Sequence, residues 1–347
     1  MRIFAVLLAL FVLLPSAPHA QDGRLRVTLV TDEPEAVLAI LARRKEGSAP
    51  SDADWRRLFA SEGYVRLGER EAGMRRPFTD SAFRAFVLSP ELAARDSALR
   101  AALDAWRAAD LTAAARRAFA YLPAGATIRA KVYPSIKPRT NSFVWEARTD
   151  PAIFLYLDPE LPAAKFENTV AHELHHVGVG TVCPADPDTT LPRGLRDALA
   201  WMGGFAEGRA VLAAAGGPDV HPHAASSAAE RAVWERDMAN AERDVRRMEG
   251  FFLELLDGEL PEEEQSRRGM AFVVSDSVPQ GSFYTVGWLM ASTVERRLGR
   301  ERLVASLCDP RAFLADYQQA AREESRSAPK PLPLWSDELL RRIGAGG

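Results

Sequence analysis

Apolar residues fall into three kinds of pattern along the chain, and each predicts a different element. From Phe4 to Leu14 they run without a break, after the single positive Arg2 and before a small-residue stretch, Pro15 to Ala20. That run is shorter than the roughly 20 residues a membrane span needs. It has the layout of a secretory signal peptide cut after Ala20. Loose alternation predicts strands over Arg24 to Val30, Thr127 to Tyr133, Asn141 to Ala147 and Ile153 to Leu157, the last two separated by the turn signal Arg148 to Pro151. Helical spacing accounts for most of the rest. Glu33 to Lys45 carries Val37, Leu38, Ile40 and Leu41 on one side, and Ser51 or Asp52 caps a helix through Trp55, Leu58 and Phe59. Ser81 to Tyr121 keeps the helical period, with a break at Pro90.

Past the strands, Pro162 opens a helix to about Val177, with Gly178 and Gly180 read as lying beyond its end. Leu195 to Ala215 and Ala225 to Leu256 read as two long helices, closed by Gly216 and Gly258. Glu259 to Arg268 reads as a charged linker, Tyr284 to Leu298 as a helix stopped by Gly299, and Glu301 to Leu307 and Pro310 to Arg322 as shorter helices. Ser325 to Leu334 is Pro-rich and reads as extended. The expected architecture is α+β and predominantly helical, with a small sheet just before one particular helix. Three regions follow: the leader (1–20), a mostly helical N-terminal region (21–122) and the remainder (123–347).

Composition narrows the possibilities only a little. Apolar residues make up 47% and charged residues 26%, as in an ordinary soluble globular protein. A formal net charge of -3 provides no basic field to draw in nucleic acid or an anionic membrane. No stable membrane association is expected once the leader is removed. Export also bears on Cys183 and Cys308, the chain's two cysteines: an oxidising compartment lets them pair, and two buried thiols are the alternative.

The chemistry concentrates in one helical turn. The chain has 6 histidines, and His172, His175 and His176 stand together in His-Glu-Leu-His-His. Four residues apart on a helix, His172 and His176 share a face. Two neutral imidazoles so placed can bind one Zn²⁺. Glu173 can reach a water activated by that zinc without being a ligand, which suits a general base. A catalytic zinc takes three protein ligands. A third histidine six residues on is excluded, because Val182 stands there. Glu207 is the expected third ligand: a carboxylate on an apolar, small-residue helix is costly to bury without a partner, and zinc is one. The same small residues would let that helix approach the His172 helix closely. Asp197 is the alternative carboxylate, as a group orienting a ligand imidazole. His175 reads as a neighbouring or partly exposed residue, and His221 and His223 as a surface His-Pro-His loop. Tyr284, at a loop-to-helix start, is the candidate for holding a developing oxyanion. Either Asn141 to Glu146 or Ile153 to Leu157 could be an exposed strand edge for an extended peptide.

These segments resemble a known family. Asn168 to His176, Phe205 to Gly208, Tyr284 to Gly287 with Gly299 to Glu301, and the helix Trp55 to Arg70 are similar to the glutamate-ligand zincins (gluzincins), and more closely to a bacterial group of zinc-dependent peptidases of unassigned function. The resemblance implies His172, His176 and Glu207 as ligands of one Zn²⁺ per chain and Glu173 as base. The reading is an exported, periplasmic or extracellular peptidase acting on a peptide or protein. A zinc hydrolase of non-peptide amides and a non-catalytic protein with a structural metal are the alternatives.

Overall fold

The computed structural model describes residues 23–184, 188–274, 280–327 and 330–345. The predicted leader lies outside the described residues. The fold is α+β and mostly helical, with a small mixed sheet. Strand β1 (Leu25–Leu29) is followed by seven helices: α1 (Asp32–Lys45), α2 (Asp52–Phe59), α3 (Glu62–Gly73), α4 (Asp80–Val87), α5 (Pro90–Ala94), α6 (Asp96–Arg107) and α7 (Leu111–Phe119). Then come β2 (Ile128–Ser135), β3 (Phe143–Trp145), β4 (Ala152–Tyr156) and α8 (Ala163–Gly180). The remainder is helical: α9 (Arg193–Met202), α10 (Ala206–Ala215), α11 (Ala228–Ala239), α12 (Ala241–Asp257), α13 (Glu262–Met270), α14 (Ser282–Leu298), α15 (Arg300–Ala305), α16 (Pro310–Ser325) and α17 (Asp337–Ile343).

The sheet order is β1-β2-β4-β3. The first three strands are parallel, with Val27 opposite Ala130 and Val132 opposite Ile153. β3 is antiparallel to β4, with Phe143 opposite Phe154. A parallel pair needs a crossover, and α1 to α7 supply the one between β1 and β2. The run Ile153 to Leu157 is therefore interior, and β3 is the edge on that side.

Two apolar cores share the molecule. One gathers α1 to α7, the sheet and the buried face of α8. The other gathers α9, α10, α12, α14, α16 and α17 around Phe205, Phe252, Phe283, Phe313 and Trp335. Helix α8 buries Phe166, Val170, Ala171, Leu174 and Val177, and Phe166 stacks on Trp106 of α6 at 4.2 Å. Full burial of such side chains stabilises by about 1.5–3 kcal/mol each, enough to hold this helix against the first core.

Several elements depart from the pattern reading. Helix α8 continues through Gly178, because that residue is needed for packing: a Cβ there would lie 2.1 Å from Leu122 Cδ1. The predicted helix from Leu195 to Ala215 is split by a 3-10 turn, Gly203–Phe205, where Gly204 lies under the Phe283 ring. The helix from Ala225 to Leu256 is broken at Asn240, whose side-chain amide donates to the Arg236 carbonyl. The charged segment is α13, whose acidic first turn and basic last turn complement its dipole. The Pro-rich stretch leads into α17, started by Ser336, and is pinned where Gln318 bonds both backbone groups of Trp335.

Candidate metal centre

Helix α8 has two usable faces. Opposite its buried stripe, Lys165, Thr169, His172 and His176 follow one another at helical spacing and stay half-buried. Helix α10 brings Glu207 to the same place. His172 Nε2 and His176 Nε2 are 3.1 Å apart, and Glu207 Oε2 lies 3.1 Å from the first and 3.2 Å from the second. The three side chains keep 14%, 24% and 25% of their exposure, so the triangle is reachable from solvent.

Glycines set the position of Glu207. A Cβ on Gly208 would fall 2.1 Å from the carbonyl carbon of Gly287, so α10 and α14 cross with their backbones nearly touching. Gly208 thus serves an approach to α14, and α10 packs against α8 as well, as the sequence reading expected. The same crossing brings Tyr284, on the first turn of α14, to the triangle: its ring lies parallel to that of His172, with centroids 6.0 Å apart.

Burial and charge act against each other here. Burial alone would raise the Glu207 carboxyl. The His176 charge and hydrogen bonds with both imidazoles outweigh it and hold the group well below its ordinary range. Burial would lower His176, but Glu207 holds it above its usual value. Tyr284 is pushed up by burial first, then by the Glu207 charge and a hydrogen bond to it, then by Glu173. Glu173 is half-buried on α8 beside His172 and is not one of the three converging side chains.

The donor set fits zinc. Tetrahedral ligation at 2.0–2.1 Å places donors about 3.3–3.4 Å apart, close to the spacing found. Without a cation the arrangement crowds two imidazole nitrogens and a carboxylate oxygen within hydrogen-bond distance of one another. His172, His176 and Glu207 are the one group of this kind among the described residues.

The other candidates lie elsewhere. Asp197 takes Gln265 and Arg193 as partners, neither an imidazole. His175 is 1% exposed, so its partly exposed reading is corrected; burial keeps it well below the usual histidine value. It lies on the buried side of α8, where its Nδ1 has no hydrogen-bond partner. His221 accepts from the His223 N–H, and the His223 ring lies 5.0 Å from Trp234. Cys183 is bonded to Cys308.

The chain matches the model of a family described as "Putative zinc dependent peptidase (DUF5700)" over residues 55–326. The chain belongs to this family. No curated protein and no solved structure matches it. The match extends from α2 to the end of α16, so it includes every side chain of the centre.

Sequence reasoning missed the positioning glycines. Gly208 was visible as one of several small residues, but its partner Gly287 is on another helix. The pairing of Cys183 with Cys308, 125 residues apart, was left open by the sequence for the same reason.

Proposed function

We propose that this is an exported zinc-dependent peptidase in which His172, His176 and Glu207 hold one Zn²⁺, Glu173 is the general base and Tyr284 binds the developing oxyanion. The observation that carries it is the Nε2–Nε2–Oε2 triangle with sides of 3.1–3.2 Å, with Glu173 next to it and outside the donor set. Zinc held there would supply a Lewis acid and lower the pKa of water to about 7. Glu173 takes the proton of the attacking water and returns it to the departing amine. Tyr284, kept protonated by its buried and anionic surroundings, donates its O–H toward the oxygen where charge builds up. Three protein donors leave room for reaction, and a fourth is not found among the described residues. That favours a catalytic over a structural metal.

Export is part of the proposal. The disulfide between Cys183 and Cys308 suits an oxidising compartment, as does the apolar run from Phe4 to Leu14. Among the described residues no helix is long and apolar enough to cross a membrane.

The test is Glu173→Gln with zinc added. It should keep the metal and lose about 10²–10⁴ of the hydrolysis rate, the usual worth of a general base. Undiminished hydrolysis in that variant would remove Glu173 from the mechanism.

A further inference from the structure

A cavity lies along α8 from the centre, and nothing in the proposed chemistry uses it. It measures about 360 Å³ and is lined mainly by apolar surface from Ala229, Val233 and Trp234 of α11, with Lys165 of α8 and His223 around it. That volume is at the low end of the range of about 300–1,000 Å³ for small-molecule pockets, so it suits one or two side chains better than a large ligand.

Two helices independently place this cavity next to the three converging donors. Lys165 and His172 are seven residues apart on the same face of α8, which at 1.5 Å per residue is about 10 Å. On α14, Trp288 lies one turn past Tyr284, the ring stacked on His172, and Trp288 in turn meets Trp234 edge-on at 5.8 Å. An extended peptide advances about 3.3 Å per residue. A substrate with its cleaved bond at the centre would therefore bring a side chain to the cavity about three residues away.

The lining decides what kind of side chain. Its charges are already partnered: Lys165 Nζ lies 2.6 Å from Glu230 and 2.7 Å from Ser226 Oγ, and Asp237 pairs with Arg236 at 3.0 Å. Burial, with Lys165 nearby, holds His223 below its ordinary value and so uncharged at neutral pH. With Arg236 counted, the described residues around the cavity carry no net charge to attract a charged side chain, while the Trp234 and Val233 walls reward an apolar one.

We propose that this cavity is a specificity subsite for a large apolar side chain, aromatic or branched aliphatic, of the peptide substrate. The inference rests on the peptidase reading above. The experiment is digestion of a diverse peptide library by the zinc-loaded protein, with the cleavage sites read by mass spectrometry. Cleaved peptides should share a Phe, Tyr, Leu or Ile at one position two to four residues from the cut. Val233→Glu should reduce kcat/KM at least tenfold for a peptide with Phe there, leave its Gly counterpart within about twofold, and keep its zinc. Ala229→Trp fills the cavity from an exposed position and should give the same loss, which covers a folding failure of the first variant. Cleavage without an apolar preference at those positions, or a preference unchanged in both variants, would overturn the subsite alone. A zinc-loaded parent that cleaves no peptide would overturn the peptidase reading and the subsite with it.

Discussion

The two cores differ in kind, and the centre is made where they meet. The first wraps a mixed sheet with short helices and buries several charged groups, including Glu33, Arg66 and Lys137. The second is all helix and dense in aromatic rings. The first contributes His172, Glu173 and His176 through α8, and the second contributes Glu207 and Tyr284 through α10 and α14. Two features fasten them at this junction: the disulfide from the segment after α8 to the segment before α16, and the packing of α10 between α8 and α14. A cation bound by both sides would be a third.

Each fastening can be broken separately. Removing the disulfide by Cys183→Ala with Cys308→Ala should have the largest effect on stability. It closes a loop of 125 residues, and its loss should cost about 2–5 kcal/mol, read as a lower midpoint in chemical denaturation. An unchanged midpoint would show that the two halves hold together without it.

The glycine crossing comes next. Gly208→Ala puts a Cβ 2.1 Å from backbone of α14 that cannot swing away. Overpacking of this kind costs about 1–3 kcal/mol, and zinc affinity should fall with stability because Glu207 moves. Gly250→Ala is the control: it is inside α12 with open space at the Cβ position, and should stabilise by up to about 1 kcal/mol. Equal effects of the two substitutions would contradict the crossing.

A buried charge in the first core gives an effect that depends on pH. Glu33 is 1% exposed, and burial pushes its carboxyl up to about 8. The folded protein therefore keeps a proton that the unfolded chain releases above about pH 4.5. That contribution is complete below the unfolded value and is lost as pH rises through 8. Glu33→Gln should abolish it, so parent stability should fall relative to the variant by up to about 1.4 kcal/mol per pH unit between pH 5 and 8. Parallel pH profiles of parent and variant would contradict a proton held on Glu33.

How much of this could be read from the sequence depended on how local the cause was. The α8 turn was legible because ligands, base and apolar stripe lie within one helix. The strands were legible by alternation, and Ser51 by its capping role, which it fulfils with Asp54. Glycine was the ambiguous letter. Gly216, Gly258 and Gly299 have positive φ and end helices as expected. Gly178, read as past a helix end, and Gly208, read inside a helix, both mark close approaches, and what lies above them is Leu122 or Gly287, far away in the chain. The choice of β3 over the Ile153 to Leu157 run as the sheet edge is equally non-local, since strand order is a property of the crossover.

The central claim is that two histidines from one core and a glutamate from the other hold a single zinc. The most direct measurement is the zinc content of the mature protein, purified without added metal and then incubated with it, beside His172→Ala and Glu207→Ala. The account predicts about one zinc per chain in the parent and weakened or absent binding in both variants, each still folded by circular dichroism. A parent that takes up no zinc, or a folded Glu207→Ala variant that binds it as tightly as the parent, would contradict the account.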